Sequence, residues 1–257
     1  MLAANPPFLT DVLNVSRLKG RPPAKLRASL SGGGPVPPDL KFAWRDELKI
    51  PLVESYGQSE LGGFVGLGFP EPSEDSKVLA VGMPLPDKEV AIFDENDRPV
   101  PIGELGEIVL RGGFMWGYWG NPEKTAETLR GGWLHTGDMG KIDRDGYVYM
   151  LGRWTERIIS HGKVIFPRGI EEALYRHPAV RYACVIGKAD SAAGELPKAI
   201  VTLYEGKSAS PEELLAHCRA ILSAETVPAF VEILPEMPMT PTGKISRAEL
   251  QARERER

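Results

Sequence analysis

The stretch that most restricts how this chain can fold runs from Trp133 to Glu171, and at its centre is a β-hairpin. Lys141-Ile142 leads into Asp143-Arg144-Asp145-Gly146, and the alternating Tyr147-Val148-Tyr149-Met150-Leu151 returns. Asp-Gly supplies the positive φ that a tight strand reversal needs. Thr136-Gly137-Asp138, read as a tight turn, precedes the hairpin and Gly152-Arg153 follows it, so Asp138 and Arg153 lie at opposite ends of one hairpin. A strand pair is stiff enough to bring a carboxylate and a guanidinium near one ligand. The carboxylate can there accept both protons of a vicinal diol, for which ribose is the obvious candidate. Taken singly, Thr-Gly-Asp is a turn and Gly-Arg a strand end, so their weight comes from what flanks them.

With 257 residues, 42% apolar and 26% charged, the chain can build one or two domains with real cores. A net charge of −4 gives no basic footprint for nucleic acid or an anionic membrane. Cys184 and Cys218 lack Cys-x-x-Cys or Cys/His spacing, which argues against a disulfide framework or a zinc site. Both thiols are expected as buried small hydrophobes in a reducing compartment. The first seven residues lack a basic region and a sustained apolar run, and no apolar segment approaches the roughly 20 residues of a membrane span. The expected location is therefore cytoplasmic.

Along the chain, Leu9, Val12, Leu13, Val15 and Leu18 recur at helical spacing between two Pro-Pro pairs. Leu26 to Leu30 reads as a strand running into Ser31-Gly32-Gly33-Gly34-Pro35, where missing side chains let backbone approach a flat ligand. A helix from Pro37 to Leu48 and a strand from Pro51 to Ser55 lead to Tyr56-Gly57-Gln58-Ser59-Glu60. Gly62 to Leu85 is rich in glycine and proline, with Glu71, Glu74 and Asp75 marking an exposed loop. Strands over 89–94 and 106–111 imply a half-buried antiparallel sheet. Asn121-Pro122 caps and opens a short helix. After Arg153 the pattern becomes a compact α+β unit. It has a helix opened by Pro167 with Ile170, Ala173 and Leu174 on one face, strands over 180–187 and 198–204, a helix over 211–223, and a strand over 230–234. Ser246-Arg247-Ala248-Glu249 reads as a capping box for a last helix whose charged tail, Arg253 to Arg257, is solvated.

The run Trp133-Leu134-His135-Thr136-Gly137-Asp138, followed by Gly152-Arg153, Ile158-Ile159-Ser160, Gly162, Pro167 and Ile170-Glu171, resembles the adenylate-forming superfamily, specifically its acyl-CoA synthetase branch. Tyr56-Gly57-Gln58-Ser59-Glu60 upstream and Pro241-Thr242-Gly243-Lys244-Ile245-Ser246-Arg247 downstream are similar to two further motifs of that family, in the right order. The resemblance covers about Leu26 to Arg247, which corresponds to the C-terminal half of such an enzyme. It implies an α+β fold: residues 1–151 as the β-rich C-terminal part of a large AMP-binding domain, and 152–257 as a small, mobile C-terminal lid domain.

The same resemblance assigns roles. Gly33 or Gly34 lies beside adenine and the acyl group, and Gly62-Gly63-Phe64 lines the acyl end. Tyr56 stacks on adenine next to Gly57, Ser59 contacts phosphate in place of the usual threonine, and Glu60 helps hold Mg2+, a hard cation suited to a carboxylate. Leu79-Ala80 stands where glycine-serine is usual. Asp138 and Arg153 take the ribose. Lys244, a compact mobile cation on a glycine-hinged loop, meets the charge that builds when a carboxylate attacks the α-phosphate of ATP. Glu156 replaces the usual aspartate at the hinge on which the small domain rotates. Ser160, His161 and Gly162 line the pantetheine tunnel of coenzyme A, His161 standing where glycine is usual. The implied activity joins a carboxylic acid, fatty or other acyl, to CoA through acyl-AMP. The Ser/Thr/Gly-rich loop ending in lysine that holds the β- and γ-phosphates in this family is not in the sequence, so the chain by itself is expected to be nearly inactive in adenylation. Two readings stay open: part of an acid–CoA ligase that works beside an N-terminal half, or a non-catalytic module that binds a nucleotide or a partner protein.

Overall fold

The computed structural model describes residues 1–34, 36–68, 75–241 and 243–256 as a mixed α/β chain. Expectations placed on Pro35, Glu71, Glu74, Thr242 and Arg257, and on the Phe64 and Asp75 side chains, lie outside what is described. The chain divides into two compact units, 1–154 and 155–257. The division falls after Trp154 rather than after Leu151, because the second hairpin strand runs through Arg153.

The first unit opens with β1 (Leu2–Ala3) and α1 (Pro6–Lys19). Asn5 caps α1 by accepting from the Phe8 amide at 3.1 Å, and both prolines sit in the first turn, where their missing N–H groups cost nothing. Its inward face passes through Leu9, Leu13 and Ser16, spaced i, i+4, i+7, so Val15 and Leu18 fall off the expected stripe and are exposed. Next come β2 (Ser29–Gly32), α2 (Pro38–Asp46), β3 (Leu52–Gln58), β4 (Gly63–Leu67) and β5 (Met83–Pro84). These strands make a sheet in the order β1-β2-β3-β4-β5, parallel through the first three and antiparallel beyond. β3 is longer than expected and takes Tyr56, Gly57 and Gln58 into the sheet.

β6 (Glu89–Phe93), β7 (Gly106–Arg111), β8 (Leu134–Ile142) and β9 (Val148–Arg153) form an antiparallel sheet in chain order, with α3 (Pro122–Thr128) in the β7–β8 connection. A core of Tyr56, Leu61 and Val81 with Ile108, Leu110, Leu134 and Val148 joins the two sheets. The Asp143–Gly146 reversal forms as expected: Gly146 N donates to Asp143 O at 3.1 Å, and Lys77 grips the Asp143 and Asp145 carboxylates, each at 2.6 Å.

Thr136-Gly137-Asp138 is not a turn. It lies inside β8 as a bulge, since Val109 pairs with His135 and Glu107 with Met139, which leaves three residues opposite Ile108 alone. Gly137, at φ 71°, supplies the left-handed step. Three bonds hold the bulge: Thr136 Oγ1 donates to Ile108 O at 2.6 Å, Gly137 N to Glu107 Oε1 at 2.9 Å, and Asp138 N to Thr136 Oγ1 at 3.0 Å.

In the second unit, β10 (Ile158–Ser160) and β11 (Lys163–Ile165) form a small hairpin, followed by α4 (Pro167–Tyr175), β12 (Val180–Asp190), β13 (Gly194–Leu203), α5 (Pro211–Ile221), β14 (Phe230–Ile233) and α6 (Arg247–Arg255). The sheet order is β11-β10-β13-β12, with β14 parallel to β13. Strand alternation sends Ala183 and Val185 toward α4 and α5, and Cys184 and Ile186 toward Leu250 of α6. Both cysteines are buried and unpaired, as composition implied.

Two expectations for α6 fail. Ser246 makes no side-chain cap, and its N–H, which a capping box would give to Glu249, goes to Pro238 O at 2.8 Å. The tail is not simply solvated either: the Glu254 carboxylate is buried and bonded to Lys188 at 2.6 Å and to Lys198.

Candidate functional site

The bulge in β8 and the end of β3 meet at the Asp138 carboxylate, which is 1% exposed. Register pairs Asp138 directly with Arg153, so the two face each other across the open end of the hairpin instead of standing at its opposite ends. Tyr56 Oη donates to Asp138 Oδ2 at 2.6 Å, and Gln58 Nε2 donates to the same oxygen at 2.7 Å and to Thr136 O at 3.0 Å. Arg153 Nε lies 3.2 Å from Oδ1 as an ion pair, yet Oδ1 has no hydrogen-bond partner among the described residues. The Arg153 charge offsets part of the cost of burying that oxygen, and a better aligned donor would complete its bonding.

Burial raises the Asp138 pKa, and the Tyr56 hydroxyl, the Arg153 charge and the Gln58 amide only partly offset it. The Tyr56 phenol is pushed well up by burial and then by the neighbouring Asp138 charge. Because the Tyr56 ring is itself core, 7% exposed, it can offer an adenine only a small part of its surface. Its hydroxyl is committed to Asp138.

Beyond β3, a 3-10 turn carries Ser59 and Glu60. Ser59 is exposed, and Glu60 Oε1 accepts from Tyr118 Oη at 2.9 Å while Glu60 O accepts from the Met115 amide at 2.7 Å. Burial, followed by Glu60, raises the Tyr118 pKa. Among the described residues no three His, Cys, Asp or Glu side chains gather into a metal cage. A single carboxylate is what Mg2+ takes when phosphate oxygens and water complete its octahedron, so Glu60 fits that ion in company with a polyphosphate. Gly33, at φ 78°, and Gly34 follow β2, and a Cβ at Gly34 would meet nothing within 4 Å.

The remaining expected residues belong to the second unit. Lys244 is exposed; its amide donates to Thr240 Oγ1 at 3.1 Å and its carbonyl accepts from Thr240 N at 2.6 Å, which closes a short loop around Gly243 at φ 76°. Glu156 pairs with Arg247, Oε2 to Nε 3.2 Å. Ser160 is buried, whereas His161 and Gly162 are exposed and both left-handed, at φ 50° and 74°. Two successive left-handed residues make the primed reversal that a two-residue hairpin requires, which explains why glycine suits the His161 position.

Four contributors were missed in the sequence. Gln58 shares a β-strand face with Tyr56, so period-two spacing would have found it. Glu107, Tyr118 and Arg247 act across long sequence separations that carry no local signal.

Residues 1–119 match the family model described as AMP-binding enzyme, and 169–244 match that of the AMP-binding enzyme C-terminal domain. The chain is 40% identical to a feruloyl-CoA synthase of Amycolatopsis over 90% of its own length and 47% of the relative's. It is 39% identical to a long-chain-fatty-acid–CoA ligase of Bacillus subtilis over 91% of this chain and 42% of the other. The structure is similar to o-succinylbenzoate coenzyme A synthetase from Bacillus subtilis in complex with ATP and magnesium ion, with a TM-score of 0.85 and 32% identity over 98% of this chain and 51% of that one. The chain thus spans about half the length of the proteins it matches. No helix among the described residues is long and apolar enough to cross a membrane.

Proposed function

From the premise that this chain belongs to the AMP-binding enzyme family of adenylate-forming acyl-CoA ligases, we propose that it carries the ribose-binding and lid portions of an acid–CoA ligase. Such an enzyme joins a carboxylic acid to the α-phosphate of ATP, releasing pyrophosphate, and then lets the thiol of coenzyme A displace AMP from acyl-AMP. The observation that carries the reading is the buried Asp138 carboxylate paired with Arg153 at the end of β8 and β9.

In this proposal Asp138 accepts a ribose hydroxyl, Arg153 lends positive charge at the same point, and Tyr56 holds the carboxylate in place while the exposed part of its ring borders adenine. Gly33 and Gly34 leave room for the flat base and the start of the acyl group. Ser59 offers a hydroxyl to phosphate, and Glu60, held by Tyr118, supplies one carboxylate to Mg2+. Lys244 stabilises charge on the phosphate as the acyl carboxylate attacks, which is work for a compact ammonium on a short exposed loop. For that, residues 155–257 act as a mobile lid that turns about Glu156, and Ser160, His161 and Gly162 come to border the pantetheine arm. A fatty, feruloyl-like or other aryl acid fits the range of acids named for the relatives.

Calorimetry with AMP tests the core of this reading. AMP should bind the chain, and Asp138→Ala should abolish the heat; equal binding by that variant would refute the site. A non-catalytic nucleotide-binding module shares this result. It separates from the ligase when the chain is mixed with a polypeptide carrying a family phosphate loop: restored pyrophosphate exchange that requires Lys244 supports the ligase.

A further inference from the structure

Two histidines of the second unit, outside the candidate site, meet where α4 ends. His177 stands two residues beyond that helix, and its Nδ1 accepts from the Ala179 amide at 3.3 Å. His217, on α5, turns Nε2 to the Ala173 carbonyl in the last turn of α4, 2.9 Å away, so that nitrogen donates. The two rings pack edge to face, with centroids 5.1 Å apart and planes at 83°. These bonds answer differently to a second ring proton. His217 can take one on Nδ1 and keep its bond to Ala173, because Nε2 donates in either form. His177 cannot. Its second proton lands on Nδ1, where donor would face donor, and the amide of Ala179, a residue 4% exposed, would lose its one acceptor among the described residues.

We propose that His177 and His217 form an acid-sensitive clasp between the end of α4 and α5, closed while His177 is neutral and opened when it is protonated against His217. The clasp is independent of the ligase reading. From α5, the charges that act on His177 are those of His217 and Glu213, one turn before it; Glu213 is exposed, and its carboxylate is engaged by the Ser210 amide at 2.7 Å. Cys218, next to His217, is held as a neutral thiol by burial. On the α4 side Arg176 is exposed and Glu172 pairs with Arg168 at 2.8 Å, while β12 and β13 turn apolar side chains such as Val180, Ala183 and Val201 into the core here. Burial, and then His217, lower the His177 pKa, which Glu213 only partly offsets. A histidine depressed in this way contributes stability that is complete above the unfolded value of about 6.5 and is lost as pH falls through the folded value. Mild acid thus loosens the α4–α5 end of the second unit.

The test is amide hydrogen exchange of the whole chain between about pH 8 and pH 5, read as protection factors so that the intrinsic pH dependence of exchange drops out. In the unaltered protein the Ala179 amide should lose about tenfold or more of its protection over that range, with amides at the end of α4 following. Equal protection at both ends overturns the clasp. His177→Asn offers Oδ1 to the same amide two residues on, an Asx turn that cannot ionise, and should hold the protection level. The same acid loss in that variant overturns the part given to His177. His217→Gln keeps a donor for the Ala173 carbonyl without a charge, so the midpoint of the loss should move up toward the ordinary histidine value. An unmoved midpoint overturns the part given to His217. Should either variant fold poorly, imidazole proton NMR on the unaltered chain decides: His177 should titrate below the ordinary value, and titration at or above it overturns the clasp.

Discussion

Arg247 offers the sharpest energetic test, because it ties the Lys244 loop to the core of the second unit. It lies three residues after Lys244 at the start of α6, and its guanidinium donates to Glu171 Oε1 at 2.7 Å and to the Val185 carbonyl, with Glu156 Oε2 at 3.2 Å from Nε. Burial works against the Arg247 charge, but the charges of Glu171 and Glu156 outweigh it and hold its pKa above the ordinary value. Arg247→Met would leave the Glu171 carboxylate, 4% exposed, with the Val185 amide at 2.9 Å as its one donor among the described residues. Stranding a buried charge in this way costs about 3–5 kcal/mol. Arg247→Met/Glu171→Met removes the charge altogether and strands only the Val185 backbone groups, at about 1–3 kcal/mol. The double variant should therefore be more stable than the single one. Native-state hydrogen exchange of the β13 amides measures this, because β13 pairs with β10, β12 and β14 inside the sheet. A single-variant cost under about 1 kcal/mol, or a double variant less stable than the single, would refute the buried-charge account. Arg247→Lys should not rescue, since an ammonium lacks the planar fork that reaches three acceptors.

Nucleotide affinity should fall on acidification at a pH above the ordinary aspartate range, because burial raises the Asp138 pKa and protonation removes the acceptor. The sign for the ligand-free protein is opposite. A carboxyl whose folded pKa is raised contributes stability below its unfolded pKa and loses it as pH rises through the folded value, so acid in that window should stabilise the free chain while weakening its AMP complex. Asp138→Asn should abolish both trends, which titration calorimetry and thermal melts against pH check. Burial pushes the Cys184 thiol up to about 12 and the Cys218 thiol to about 11, so neither should react with a thiol reagent at pH 8 until urea unfolds the chain. Rapid native labelling would contradict that. Gly162→Ala should cost about 1–2 kcal/mol from backbone strain alone, because φ is 74° and an added Cβ meets nothing within 4 Å. His161→Gly should be close to neutral, as relief of left-handed strain offsets the extra freedom glycine gains on unfolding, and urea melts of the pair decide it.

What was legible in the sequence is what neighbouring residues determine among themselves. The Asp143–Gly146 reversal formed because Asp-Gly needs no distant partner, and Asp143 Oδ1 accepts from the Asp145 and Tyr147 amides at 3.0 and 2.9 Å within the turn. The Ser-x-x-Glu runs at 210–213 and 246–249 show where that reasoning stops. At Ser210 the capping box closes, with Ser210 N donating to Glu213 Oε2 at 2.7 Å and Glu213 N to Ser210 Oγ at 3.2 Å. At Ser246 the same pattern is idle: Pro238 has already taken the Ser246 N–H at 2.8 Å, and Glu249 pairs with Arg253 at 2.6 Å instead. A local motif is a bid for groups that a residue elsewhere can claim first.

The candidate site divides along the same line. Asp138 and Arg153 could be placed on one hairpin in advance because a turn between them joins the strands, although a register shift between Met139 and Gly140 sets their direct pairing. The bulge that aims Asp138 inward could not, because it exists only in the mismatch between β8 and β7, and its Gly137 amide is held by Glu107, a residue 30 positions earlier. Nor could the closure of Oδ2, which depends on Tyr56 and Gln58 arriving from 82 and 80 positions away. The residues that would touch a ligand were thus readable as types in an order, whereas the bonds that hold and aim the carboxylate are decided by how the strands meet.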